Sequence, residues 1–368
     1  MSLSVFITVT VAMLTMVVTG SMVQLDLPEG AVVGREELSD SGRPYLGYYG
    51  IPYALPPTGE RRFMRPEEVV RWGRVVGQEE GVECAQEHTG REEVFSWTRA
   101  PVRGSEDCLV LNIFTPSTES PDLPVIFFIH GGGYFAGSSS PAVYGPEYFM
   151  DHHVILVTVN YRLGPLGFLS LGDSSLAGNQ GLWDLVMAIK FVNKRIHHFG
   201  GDNKRVTLMG HSAGAMAVQF LMLNMNLSGL FRAAILQSGP VISAYSCSDK
   251  HPAYYTRTLA AAVGCDPAAN SSALVQCLQR VDLQLLVNNV RVVDQQPDVV
   301  RNAPSPWKPI LDSHFLPEDE AFLVGDPYTL LKEKRFLDIP VIIGHTKDEG
   351  LYAVTEAFSR YDPTIILY

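Results

Sequence analysis

The sequence predicts an α/β protein with a mostly parallel central sheet covered by helices. Three observations carry this. Short, continuous apolar runs recur along the chain, at Val125 to Ile129, Val154 to Val159, Ala233 to Leu236 and Val341 to Ile343. Such runs read as strands buried on both faces rather than half-solvated ones. Between them lies an amphipathic stretch, Leu182 to Phe199, with Leu185, Ala188, Ile189, Val192 and Ile196 at helical spacing. Third, Gly210-His211-Ser212-Ala213-Gly214 joins the apolar run Val206 to Met209 to a helix-forming run, Ala213 to Leu223.

The elements follow in chain order. Val32 to Tyr53 reads as short strands joined by polar turns, and Pro56-Pro57 opens a loop. Residues 78 to 107 are charged and irregular. From Leu109 to Phe114 onward, apolar strands alternate with helices, the signature of a sheet with crossover connections. No Pro-, Gly- or Ser-rich linker interrupts this, so residues 21–368 are expected to form one domain.

The first 20 residues differ from the rest. Val5 to Val18 is apolar apart from Thr8, Thr10 and Thr15, and the small residues Gly20 and Ser21 follow. The run is short for a bilayer span, so residues 1–20 are expected to be a signal peptide and the protein to be secreted. Composition suits a globular chain with a sizeable core, at 46% hydrophobic and 18% charged residues. A net charge of -11, with no basic run, argues against nucleic acid and against anionic membrane surfaces. Five cysteines, Cys84, Cys108, Cys247, Cys265 and Cys277, fit an oxidising compartment. Any four of them allow three pairings, and the residues alone do not choose. Asn226-Leu-Ser and Asn270-Ser-Ser are acceptor sites for N-glycans in an exported chain.

The chemistry is concentrated at Ser212. A serine flanked at i−2 and i+2 by glycine, between strand and helix, is the nucleophile elbow pattern: its hydroxyl stands clear of the sheet on a strained turn. The segment from Phe199-Gly200-Gly201 through Gly214 resembles the serine signature of the type-B carboxylesterase and cholinesterase family. Glu106-Asp107-Cys108-Leu109-Val110-Leu111-Asn112 is similar to its second signature. His130-Gly131-Gly132-Gly133, Asn160-Tyr161-Arg162-Leu163-Gly164, Gly178-Asn179-Gln180-Gly181-Leu182 and Lys347-Asp348-Glu349-Gly350 occur in family order. The resemblance runs from about residue 25 to the end.

The resemblance implies an α/β-hydrolase fold and a serine carboxylesterase acting on small-molecule carboxylic esters, with neither metal nor organic cofactor. Ser212 would be the nucleophile and Glu349 the acid that orients a histidine. The N–H groups of Gly132, Gly133 and Ala213 would form the oxyanion hole, where each donor typically contributes about 3 kcal/mol. The resemblance pairs Cys84 with Cys108 and Cys265 with Cys277, leaving Cys247 over. It also places the family's catalytic histidine well beyond the acid, whereas this sequence ends at Tyr368, 19 residues after Glu349. The chain is therefore expected to be a C-terminally truncated domain, with little activity of its own.

Some residues depart from the cholinesterase pattern. His211 occupies the elbow position where cholinesterases carry Glu, and Ala215 follows where another glycine is common. Trp97 lies near, but out of register with, the choline-stacking tryptophan, so acetylcholine is not the expected substrate. A different class of function is a non-catalytic adhesion or binding protein, since the family includes such members and fold does not fix function. Those members usually lose the serine, which this chain keeps.

Overall fold

The computed structural model describes residues 22–87, 102–117, 121–243, 246–247, 252–294, 305–349 and 351. The expected leader (1–20), Trp97, Gly350 and the apolar end of the chain lie outside them. The framework is a nine-stranded sheet. Its strands are β1 (Met22–Leu27), β2 (Gly30–Leu38), β3 (Pro44–Pro52), β6 (Val110–Pro116), β7 (Leu123–Ile129), β8 (Ile155–Val159), β9 (Gly201–His211), β10 (Ala233–Gln237) and β11 (Val341–Gly344), in the spatial order β1-β2-β3-β6-β8-β7-β9-β10-β11. A separate two-stranded ladder pairs β4 (Gln86–Glu87) with β5 (Val102–Arg103).

The sheet is mixed. The pairs β8·β7, β7·β9, β9·β10 and β10·β11 are parallel, as the alternation of apolar strands and helices predicts. The other half is antiparallel, because β1, β2 and β3 form a meander by short turns and β6 joins it to β8. Alternate residues of a strand face opposite sides. Accordingly Phe127 and Ile129 belong to the large core on one face, and Phe128 to a smaller cluster with Tyr45, Tyr49, Phe114, Met150 and Leu156 on the other.

Two short helices, α1 (Pro141–Tyr144) and α2 (Gly164–Phe168), precede the main pair, α3 (Gln180–Arg195) and α4 (Ala213–Leu223). The predicted helix over 182–199 is α-helical only to Arg195; Ile196–Phe199 tightens into a 3-10 turn that ends at Gly200, whose φ of 83° suits glycine. Helix α4 is buried along nearly its whole length and packs on β7, β9 and β10. Four further helices follow, α5 (Pro252–Ala262), α6 (Ser271–Arg280), α7 (Leu283–Asn288) and α8 (Val290–Asp294).

Two covalent links and one ion pair tie distant segments. Cys84 is bonded to Cys108, and Cys265 to Cys277, while Cys247 takes part in neither bridge. Arg162 and Asp184 are buried, at 3% and 0% side-chain exposure. Arg162 donates through Nε to Asp184 Oδ2 at 2.8 Å and through Nη2 to Oδ1 at 2.7 Å. Its Nη1 donates to the Met64 carbonyl at 2.7 Å. This bidentate geometry satisfies the carboxylate and fixes the loop after β8 to α3.

Candidate active site

Strand β9 ends at His211 and α4 begins at Ala213, so a single residue turns the chain between them. That residue is Ser212, at φ 54° and ψ −124°, a conformation L-residues rarely adopt. Its N–H donates to the Gln237 carbonyl at 2.8 Å, which anchors the strained turn to the end of β10. Close approach explains the glycine two residues on: a Cβ at Gly214 would collide with the carbonyl oxygen of Ile129. The helix therefore starts directly over the end of β7, and its N-terminal dipole points at the serine.

The loop after β7 lies against this turn. A Cβ on Gly131 would sit 2.7 Å from the His211 carbonyl oxygen and 3.1 Å from Ser212 Cβ. Gly132, Gly133 and Tyr134 follow with φ of 108°, 60° and 66°, and the Gly132 carbonyl accepts from Phe135 N–H at 3.1 Å and Ala136 N–H at 3.0 Å. Among the described residues nothing accepts from the N–H groups of Gly132, Gly133 or Ala213. Donors with no protein partner, beside a strained serine, are groups able to receive an anionic oxygen. A cavity of about 100 Å³ opens beside the loop, lined by Gln86, Phe135, Leu163, Pro165, Val287 and Val290.

His130 supports the loop from below. It is buried and stacked on Tyr161, with ring centroids 4.6 Å apart. Its Nδ1 lies 2.8 Å from the Gly131 carbonyl, and Tyr161 Oη donates to the His130 carbonyl at 3.1 Å. Burial pulls the imidazole down to about 4, so it stays neutral at physiological pH.

Glu349 lies in the turn after β11. Its Oε2 accepts from Thr346 Oγ1 at 2.6 Å and Thr346 N–H at 2.9 Å. These bonds, first that from the Thr346 hydroxyl, with a smaller contribution from the nearby Ser238 hydroxyl, hold its carboxyl below the usual glutamate range. The register relates this turn to the elbow. His211 pairs with Gln237, and Gln237 with Gly344, so Ser212, Ser238 and His345 each follow the same level of three adjacent parallel strands. Two strand spacings, about 10 Å, separate the outer pair. His345 Nδ1 lies 2.8 Å from the Thr346 carbonyl, within its own turn.

The structure thus gathers Ser212, Ala213, Gly132, Gly133 and Glu349 at the C-terminal ends of β7, β9, β10 and β11, where ligands bind in open α/β sheets. Sequence reasoning missed Ser238, and placed Thr346 in the acid-residue block without giving it a role. The signal for Ser238 was its place directly after an apolar strand, the same place Ser212 holds on its neighbour. The sequon asparagines Asn226 and Asn270 are both exposed. Asn270 Oδ1 caps α6, accepting from Ala273 N–H at 2.9 Å. Among the described residues there is no cluster of three or more His, Cys, Asp or Glu suited to a metal, and no helix is long and apolar enough to cross a membrane.

Known proteins resemble this chain. The model of the Carboxylesterase family matches residues 21–364. Juvenile hormone esterase of Tribolium castaneum is 39% identical over 330 residues, covering 88% of this chain and 54% of that protein. Neuroligin-2 of Mus musculus is 35% identical over 369 residues, covering 90% of this chain and 41% of the other. The crystal structure of juvenile hormone esterase from Manduca sexta, with OTFP covalently attached, superposes with a TM-score of 0.80 at 32% identity, covering 93% of this chain and 65% of that one. The chain spans about half the length of the curated relatives it matches.

Proposed function

The chain belongs to the carboxylesterase family, and from that premise we propose that it carries the nucleophile, oxyanion hole and acid of a serine carboxylic ester hydrolase. The observation that supports this most directly is the strained Ser212, set against a loop whose Gly132 and Gly133 N–H groups have no partner among the described residues.

In this reading Ser212 Oγ attacks the ester carbonyl carbon while a histidine takes its proton. The carbonyl oxygen becomes an oxyanion held by Gly132, Gly133 and Ala213 N–H, the C–O bond breaks, and the alcohol leaves with the proton. Water then repeats the sequence on the acyl-serine and releases the acid. Glu349 orients the histidine and offsets its charge. The histidine comes from the part of the relatives' length that this chain does not span. His130, buried and stacked beneath the loop, does not serve. The apolar cavity beside Phe135 suits an apolar acid or alcohol group. The same reading has residues 1–20 removed as a signal peptide, residues 21–368 within one carboxylesterase-type domain, the chain secreted, and Asn226 and Asn270 glycosylated. Two disulfides and two exposed sequon asparagines support export.

The test is covalent. An organophosphonate ester should label Ser212 in the full-length protein, and Ser212→Ala should abolish labelling while leaving the fold intact. Residues 21–368 alone should hydrolyse p-nitrophenyl acetate near background; ordinary turnover would put the base within this chain. The neuroligin-2 relative keeps a binding function in view. A full-length protein inert to phosphonates, with Ser212 accessible, would favour that reading.

A further inference from the structure

We infer that Gln86 is a positioning residue that holds the oxyanion loop against Ser212, an inference that rests on the reading of Ser212 and Gly132–Gly133 given above. Gln86 lies on β4, outside every motif of the elbow, and is buried. Its amide clamps one residue at both ends of its main chain: Gly137 N–H donates to Gln86 Oε1 at 2.8 Å, and Gln86 Nε2 donates to the Gly137 carbonyl at 2.9 Å. The second Nε2 hydrogen goes to the Cys84 carbonyl at 3.0 Å. The network fixes the amide's orientation, because a flipped amide would set an NH2 against an N–H and an oxygen against two carbonyls.

Gly137 is the far end of the glycine loop, and it is wedged against the near end. At φ 111° it has no room for a side chain: a Cβ would sit 2.6 Å from the Gly131 carbonyl oxygen and 2.6 Å from His130 Nδ1. Gly131 in turn meets the His211 carbonyl and Ser212 Cβ. A continuous chain of contacts therefore runs from the Cys84–Cys108 bridge through Gln86, Gly137 and Gly131 to the serine. The loop's own turn closes through the Gly132 carbonyl, and Gly164 N–H holds the Tyr134 carbonyl from outside at 2.7 Å. Gln86 supplies the external anchor at the loop's far end and so helps set where Gly132 and Gly133 point. Donors help only when already placed where the oxyanion forms, so loosening the clamp slows the chemical step.

The test compares Gln86→Met, which keeps length and burial but makes none of the three bonds, with Gln86→Ala, in the full-length protein. Two quantities are read: the saturating rate and half-saturating concentration of Ser212 phosphonylation, and amide hydrogen exchange across residues 131–137. The expected result is a fall in saturating rate of about tenfold or more in both variants. Exchange should be faster in 131–137 and unchanged in β7, β9 and α4, the last serving as the control for folding. Wild-type rates in both variants, or unchanged exchange in 131–137, would overturn the role of Gln86. Absence of labelling in the wild type overturns the nucleophile reading instead, and the exchange measurement then decides the clamp by itself.

Discussion

The Thr346 hydroxyl donates to Glu349 Oε2 at 2.6 Å, closing the turn after β11. With a smaller contribution from the Ser238 hydroxyl at the end of the neighbouring β10, it stabilises the ionised carboxyl, so Glu349 titrates below its ordinary 4.5. A depressed carboxyl keeps its ionised interactions above its ordinary value and loses them as pH falls through the lowered one. Removing a donor should therefore move the titration upward. Carboxyl-carbon NMR should find the Glu349 midpoint below 4.5 in the parent protein, and closer to 4.5 in both Ser238→Ala and Thr346→Val. An unshifted midpoint in both variants would remove these hydroxyls as its cause.

Gly131→Ala tests the contact between loop and elbow. The new methyl would press on the His211 carbonyl at 2.7 Å and on Ser212 Cβ at 3.1 Å, neither of which is the end of a flexible chain. The backbone must give, at a cost of about 1–3 kcal/mol by urea unfolding. Labelling of Ser212 should slow by about tenfold or more, because loop and serine are displaced relative to each other. Labelling at the parent rate would show that the contact relaxes freely.

The Arg162–Asp184 pair is the costliest polar contact to break one side at a time. Asp184→Asn or Arg162→Met leaves a buried charge without its partner and should cost about 3–5 kcal/mol in chemical unfolding. The double variant Arg162→Met with Asp184→Leu removes both charges. It should lose clearly less than the sum of the two single changes, which a double-mutant cycle measures.

Peptide mapping without reduction should recover Cys84 joined to Cys108 and Cys265 joined to Cys277, with Cys247 in neither. The second bridge closes a loop over a separation of 12 residues. Replacing both its cysteines by serine should lower stability by about 3 kcal/mol in the chain-entropy account. Activity should fall less than for the Cys84–Cys108 pair, whose backbone holds Gln86.

Much of this was legible in the sequence, for reasons that differ by element. Helix α4 begins at Ala213 and ends at Leu223, where the glycine-serine turn and the apolar run place it. The buried strands β7 and β8 fall within a few residues of their apolar runs, since full burial leaves no ambiguity about period. β10 and β11 also lie on their apolar runs, but β11, expected to be buried on both faces, is exposed along its whole length, because it is the edge strand of the sheet. The antiparallel half was harder. Strands β1 and β2 alternate exposed and half-buried residues, and their pairing depends on turns rather than on composition. Strand β9 starts at Gly201, before its apolar stretch, because Leu123 of β7 pairs there. Ser238 escaped because its place beside Glu349 exists only once β10 and β11 lie side by side.

The sheet order also sets a timetable for folding. Strands β1, β2 and β3 are neighbours in sequence and in space, and can pair as they leave the ribosome. The strands bearing the chemistry cannot: β7 must wait for β8 and β9, and β10 must wait for β11, more than a hundred residues later. Long-range parallel pairing is slow, and partly made sheets expose apolar edges. The reactive turn at Ser212 is thus completed late in biosynthesis, on a scaffold already standing. A nascent chain presents sticky edges to chaperones before it presents a nucleophile to the cell.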